Sequence, residues 1–182
     1  MKSKIILIAM LVGMSHSLMA QKLISKNAHI NFFSHTAIED IDANNNQVVS
    51  ILDPVSGNVQ FSLLIKSFEF EKKLMQEHFN ENYMESDTYP KATFNGKIEN
   101  VSAIDFNTDG EYNIQVSGDM TIHGVTKKIN TPGTITIKSG VVSATAKFIV
   151  LPEDYNIAIP DLVKDRIAKE IKVSVDVTYN SN

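Results

Sequence analysis

Phe68 to Gly96 reads FEFEKKLMQEHFNENYMESDTYPKATFNG, and it is the one stretch in which the hydrophobic period of the chain changes. Upstream, Val59, Phe61, Leu63 and Ile65 alternate with Asn58, Gln60, Ser62 and Leu64, the two-residue period of a strand. Within the stretch, Met75, His78, Phe79 and Asn82 recur at three- and four-residue spacing, as on one face of a helix. After Pro90 the strand period returns, with Ala92, Phe94, Gly96 and Ile98 set against Lys91, Thr93, Asn95, Lys97 and Glu99. The spacing predicts a short helix over 74–83, carrying Leu74, Met75, Phe79, Tyr83 and Met84, inside a chain otherwise made of strands. Those side chains need apolar surface to cover, and the open end of a sheet-built core supplies it. The helix therefore reads as the lid or plug of a barrel.

Working outward, the rest of the chain is strand upon strand. Residues 28–33 set His29 and Asn31 against Ala28, Ile30 and Phe32; 36–42 alternate more weakly; Asn44-Asn45-Asn46 reads as a turn before a strand over 47–52. Asp53-Pro54-Val55-Ser56-Gly57 turns into the strand 58–68. Beyond the helix come 91–100, 111–122 (Tyr112, Ile114, Val116, Met120 and Ile122 on one face), then 125–130 and 134–138 broken at Pro132-Gly133, and 141–150. The last strand alternates Ile171, Val173, Val175, Val177 and Tyr179 with Lys172, Ser174, Asp176 and Thr178. Roughly eight short strands joined mostly by turns point to an antiparallel sandwich or a closed barrel, mainly β, in a single domain. An outer-membrane barrel needs an apolar outside, whereas the polar face here is the one that must meet water. Ala144 and Ala146, on the inward face and read as lying beside the strand of Gly118, either fit opposite large core residues or leave room in the interior.

Met1 to Ala20 stands apart. Lys2 and Lys4 precede an apolar run, Ile5 to Val12, too short to span a bilayer, and the small Ala20 precedes Gln21. This pattern predicts an export signal over 1–20 and a mature domain over 21–182, periplasmic or secreted. Its removal takes away two lysines and no acids, so a formal charge of −4 falls to about −6. An acidic product is a poor match to nucleic acid, which demands basic patches. With no cysteine in the chain there is no disulfide, thiolate metal site, cysteine nucleophile or lipidated N-terminal cysteine.

Catalytic signals are thin. His29, His35, His78 and His123 show no metal-like spacing, and the carboxylates do not cluster about them. Glu77 and His78 are neighbours in sequence and do not face each other on a helix. No catalytic residue, metal ligand or cofactor is assigned. His123, just before Gly124, reads as a hydrogen-bonded anchor of a tight turn.

Two segments carry a resemblance. LMQEHFNENYMESDTYPKATFNG (74–96) is similar to a pattern of short helix, Tyr-Pro and a strand with Phe, and GDMTIHGVTKK (118–128) is similar to a Gly-Asp-Leu-Thr-Ile-His-Gly-Val-Thr signature. In this order they resemble the YceI-like family, over essentially the whole chain past the signal. The resemblance implies an exported, eight-stranded antiparallel, lipocalin-like barrel whose lumen holds a long apolar molecule such as a polyisoprenoid, a quinone tail or a fatty-acyl chain. The chain departs from the family in two places. Lys73-Leu74-Met75-Gln76-Glu77-His78-Phe79 replaces an Arg/Asp-x-His-Leu helix start, and no His-x-Gly element occurs around 36–41. The absence of tryptophan argues against the lipocalins proper.

The resemblance implies a lipid carrier or sequestering protein, not an enzyme, with Phe61, Leu63, Ile65, Phe68, Met75, Phe79, Phe94, Ile98, Ile114, Met120, Phe148 and Val175 around the ligand. The alternatives are a lipid-modifying enzyme and a packed-barrel stress or interaction protein with no ligand. The partner is a long-chain apolar lipid; peripheral contact with membranes and a homodimer are compatible with this reading, nucleic acid is not.

Overall fold

The computed structural model describes residues 21–179, so the export signal predicted over 1–20 lies outside the described residues. In chain order the strands are β1 (Leu23–His35), β2 (Asp40–Leu52), β3 (Asn58–Leu64), the two-residue β4 (Glu69–Phe70), β5 (Lys91–Ile98), β6 (Gly110–Ile122), β7 (Val125–Lys138), β8 (Val141–Val150) and β9 (Ile171–Tyr179). They form one antiparallel sheet in the order β1-β9-β8-β7-β6-β5-β3-β2, and pairing of β1 with β2 closes it into an eight-stranded barrel. β4 adds only to the free edge of β2, through Ala43 and Asn44. Apolar faces point inward, as on β9, where Val177 and Tyr179 are buried while Lys172, Asp176 and Thr178 are exposed.

The sequence misleads at two points, each for a local reason. Asn44-Asn45-Asn46 is no turn but the middle of β2. Ala28 pairs with Val48 and Ile30 with Asn45, so Asn46 and Gln47 of β2 oppose the single residue His29 of β1, a bulge at Asn46-Gln47. The bulge switches the inward parity from Ala43 and Asn45 to Val48, Ser50 and Leu52, all essentially inaccessible. A strict two-residue pattern therefore breaks where the strand does not. The buried Asn45 amide is satisfied there, donating to the Leu64 carbonyl at 3.0 Å while its oxygen accepts Gln47 N–H at 2.9 Å.

Pro132-Gly133 likewise lies inside β7, in register with Gln115 and Ile114 of β6. Pairing of β7 to β8 stops at Gly133–Ala146, so a residue without an N–H falls where the ladder ends. The Thr131 hydroxyl donates to the Lys147 carbonyl at 3.3 Å instead. The true β7–β8 turn is Ser139-Gly140, with both residues at positive φ (52° and 77°), and the β6–β7 turn, His123-Gly124, is built the same way (51° and 74°).

Gly118 is not beside Ala144 and Ala146. It faces Gly96 across β5 and β6, and a Cβ on either glycine would strike the Phe94 ring and the opposing backbone. The space these glycines leave is occupied by Phe94. Ala146 faces Gly133 on one side and Val175 on the other, and there the interior does stay open.

The predicted helix over 74–83 is shorter and then wider. α1 (Lys73–His78) passes into a π-turn over Phe79–Tyr83, in which Met84 N–H reaches the Phe79 carbonyl at 2.9 Å. That five-residue step buries Met84 under the lid. Not one residue of α1 is itself buried, and Leu74 is 61% exposed.

Candidate functional site

The two ends of the barrel differ. At one end, short turns and the segment around Ile104 close a floor of Leu52, Ile98, Ile137, Val177 and Tyr179. There the Tyr179 hydroxyl shares a 2.7 Å hydrogen bond with Ser50, deep in apolar surroundings. Burial pushes the Tyr179 phenol up to about 12, the Ser50 bond offsetting part of that rise. At the other end two of the four connections are long: residues 65–90 and 151–170 fold back over the opening.

Between floor and opening lies a cavity of about 640 Å³, inside the range that holds small ligands. Phe61 and Leu63 reach it from β3, Ile65 and Phe68 from the connection to β4, and Met75 and Phe79 from the lid. Phe94 and Ile98 come from β5, Ile114 and Met120 from β6, Phe148 from β8 and Val175 from β9. All twelve sequence-chosen side chains thus line one cavity. Ala144 and Ala146 line it as well, which decides for the roomy reading of those two residues.

Sequence reasoning passed over two parts of the wall. Ile30, Phe32, Ser34 and Ile41 on β1 and β2 line the opening, together with Phe70. Phe79 and Phe32 share the centre of the resulting aromatic cluster, 5.3 Å apart, and each packs on Phe68 and Phe70, Phe79 at 5.7 and 5.0 Å. Offset rings at such separations are worth about 0.5–1.5 kcal/mol per pair beyond area burial. The lid is therefore pinned at its C-terminal end and loose at Leu74.

The second part is 151–170, to which no strand or helix was assigned. It supplies Pro152, Ile157, Ile159, Val163, Arg166 and Ile167 to the lining. Its apolar spacing, two residues and then four, fits neither regular period, but the run of isoleucines and valine was the available signal. Three hydrogen bonds tether it: Ala168 N–H donates to the Ser34 hydroxyl at 2.8 Å, His123 Nδ1 to the Tyr155 carbonyl at 3.1 Å, and Lys127 Nζ to Asp154 at 3.4 Å. The β6–β7 turn histidine thus anchors the far connection as well as its own turn. Tyr89 packs edge-on against it at 4.4 Å.

Charge is confined to the rim, and the polar groups deeper in the lining are hydroxyls such as those of Thr93, Thr131 and Tyr179. Glu39, Lys72 and Arg166 are the only lining side chains with a carboxylate, amine or guanidinium, and His78 of α1 also lines the cavity. Glu39 Oε1 is 3.1 Å from Lys72 Nζ and its Oε2 is 3.7 Å from Arg166 Nη1. One carboxylate thus joins the β1–β2 connection, the start of the lid and the 151–170 segment. The other histidines are elsewhere: His29 faces Asn44 outside the barrel, and His35 pairs with Asp40 at the surface. Among the described residues no three histidines and acids come together as a metal site, and no helix is long and apolar enough to cross a membrane.

A family model described as a YceI-like domain matches residues 22–179. No curated protein matches the sequence. Among solved structures, a polyisoprenoid binding domain from Saccharophagus degradans implicated in plant cell wall breakdown is similar in fold at 15% identity. The match covers 88% of this chain and 98% of that one, with a TM-score of 0.77. BcnA of Burkholderia cenocepacia is similar at 15% identity, covering 85% and 96%, TM-score 0.69. A Campylobacter jejuni YceI protein is similar at 18% identity, covering 81% and 90%, TM-score 0.63.

Proposed function

The chain belongs to the YceI-like family, and from that premise we propose that it is an exported carrier or sequestering protein that holds the long apolar tail of a lipid inside its barrel. The observation that carries the reading is the distribution of polarity. A cavity of about 640 Å³ is walled by aliphatic and aromatic side chains, while its charged groups sit only at the rim. A polar ligand would lose its water there without gaining partners. An apolar tail gains about 25 cal/mol for each Å² it buries. Met75 and Met120 add adaptable surface for a tail that bends.

The similar domain from Saccharophagus degradans is described as polyisoprenoid binding, which makes a polyisoprenoid, quinone or fatty-acyl tail the first candidate here. The cavity speaks against a solidly packed barrel. An enzyme acting on the tail would need reactive groups beside it, yet at the floor Ser50 and Tyr179 satisfy each other. Exposed Ile38 and Leu74, with Leu162 at 96% exposure on the 151–170 segment, support peripheral contact with the membrane from which a lipid would be drawn. Lys2, Lys4 and the apolar run after them support export, which N-terminal sequencing of the extracytoplasmic protein checks.

The test of the carrier reading is native mass spectrometry of protein purified from its own envelope, with solvent extraction of what dissociates. A lipid released unchanged supports the carrier, a chemically altered one the enzyme, and protein that neither carries nor takes up lipid overturns both.

A further inference from the structure

We propose that the rim of the barrel is a headgroup site for an anion, so that the ligand is a single-tailed lipid ending in a carboxylate or phosphate rather than in an alcohol, ketone or quinone. The proposal rests on the reading above, that the lumen holds a tail, and adds what the head must be.

The charges carry it. Two cations and one carboxylate line the opening, and the carboxylate cannot saturate both cations. Lys72 Nζ is within hydrogen-bond reach of Glu39 at 3.1 Å, but the nearest Arg166 nitrogen stands 3.7 Å away, outside it. Among the described residues the Arg166 guanidinium makes no hydrogen bond at all, leaving a planar fork of donors beside the entrance of an apolar cavity. Such a fork matches the two oxygens of a carboxylate or phosphate, with charge-assisted bonds about twice as strong as neutral ones.

Position agrees with charge. Ala168 N–H, two residues beyond Arg166, is tied to Ser34 on β1, and Ser34 lines the cavity. The backbone that carries Arg166 is thus fixed to β1 at the mouth, and its side chain lines the opening. Lys72 begins the lid, two residues before Leu74 and three before the cavity-lining Met75. An anion seated between Lys72 and Arg166 would bridge the lid to the 151–170 segment as Glu39 does, and its tail would run down between Met75 and Ile167. A neutral head offers neither cation more than water does.

The experiment is displacement of the neutral dye Nile red from delipidated protein by hexadecanoic acid and by hexadecan-1-ol, which share a tail and differ in the head. The expected result is a preference for the acid of roughly tenfold or more. That preference should fall toward one in Arg166→Gln, recover in part in Arg166→Lys, and shrink as salt is raised. Circular dichroism of each variant guards against loss of fold. Inorganic phosphate in the millimolar range should displace neither dye nor acid, since a free anion lacks the tail. Equal affinity for acid and alcohol overturns the proposal while leaving the tail reading intact. So does an acid preference untouched by Arg166→Gln, or competition by free phosphate as strong as by the acid. Failure of both lipids to displace the dye overturns the tail reading and this proposal together.

Discussion

The floor and the mouth of the barrel are built from the same strands, by the same alternation, and yet they behave as different materials. At the floor, inward side chains meet across the barrel and fill it, with Val177 and Tyr179 at 1% and 2% exposure. At the mouth, the same inward faces end in half-buried Phe32, Ile122 and Phe148, covered by a six-residue helix with no buried residue and no side-chain cap at its start. The difference lies in the connections. The floor has no long return, and its connections 53–57, 99–109 and 139–140 bring strand ends close enough for side chains to interlock. The long returns 65–90 and 151–170 hold the mouth open and then roof it. Stability is thus concentrated at one end, and the element best suited to move lies at the other, as ligand gates require.

The sharpest way to break this comparison is a charge at each depth. Val177→Asp buries a carboxylate with no cation beside it and should cost more than about 3 kcal/mol, enough to prevent folding or lower Tm steeply. Thr178→Asp, one residue on but facing water, should stay within about 0.5 kcal/mol. The same contrast holds higher in the lumen between Val175 and Ser174. Equal tolerance by chemical denaturation would mean that the faces are assigned wrongly.

The floor hydrogen bond gives a second test. With its folded-state pKa raised to about 12 against the ordinary 10, Tyr179 contributes stability that is complete below pH 10. That contribution is lost as pH rises through 12, because the unfolded phenol gives up its proton first. Two pH units correspond to roughly 2–3 kcal/mol. Denaturation curves for the native chain should therefore weaken between pH 10 and 12 more steeply than those of Tyr179→Phe. At pH 7 the variant should lose about 1–3 kcal/mol, since Ser50 is left buried without its partner. Parallel alkaline profiles would show that the phenol is not held in a dry floor.

What could be read beforehand follows the same division. Strands with one wet face and tight turns, β9 above all, announce themselves, because water on one side and core on the other force strict alternation. Cavity-lining positions such as Phe61, Phe94 and Met120 were legible for the same reason. β2 was not, since the Asn46-Gln47 bulge changes parity in mid-strand, and β7 was not, since Pro132 looks like a break until the end of its β8 ladder is seen. The roof was the least legible. Residues 151–170 bury Pro152 and Tyr155 and line the cavity without any regular period. Their folding is dictated by what lies beneath them, through Ser34 and His123, and not by neighbours in sequence.

At the mouth, Met75→Ala with Phe79→Ala should cost about 2–3 kcal/mol, less than full burial would predict, because both side chains are only partly buried. Most of that loss belongs to Phe79, which gives up its packing on the three rings of Phe32, Phe68 and Phe70. The comparison predicts a second effect that floor variants lack: lipid should leave faster than the loss of stability alone explains. If the double variant melts earlier yet keeps its lipid with unchanged affinity and exchange rate, the lid is only structural.

The smallest change in stability should come with the most selective change in access. From sequence, Lys72 and Glu81 look like equivalent solvated charges on the lid. The structure separates them, because Lys72 reaches Glu39 at 3.1 Å and Glu81 makes no ion pair among the described residues. Glu39 is the unusual partner, only 20% exposed and bracketed by Lys72 and Arg166 from two different roof segments. Its partners Lys72 and Arg166 are more than half exposed, and ion pairs so screened contribute under about 1 kcal/mol, so Glu39→Gln should hardly move Tm. It does release the one side chain that joins the β1–β2 connection, the lid and the 151–170 segment, and a roof opens by parting such segments. Transfer of a fluorescent lipid from protein to vesicles should therefore quicken several-fold in Glu39→Gln, while Glu81→Gln leaves it unchanged. Raising salt should speed the native chain toward the variant, as screening weakens the same contacts. A Glu39→Gln protein that exchanges lipid at the native rate in low salt would show that packing at Phe79, and not charge at the rim, governs the mouth.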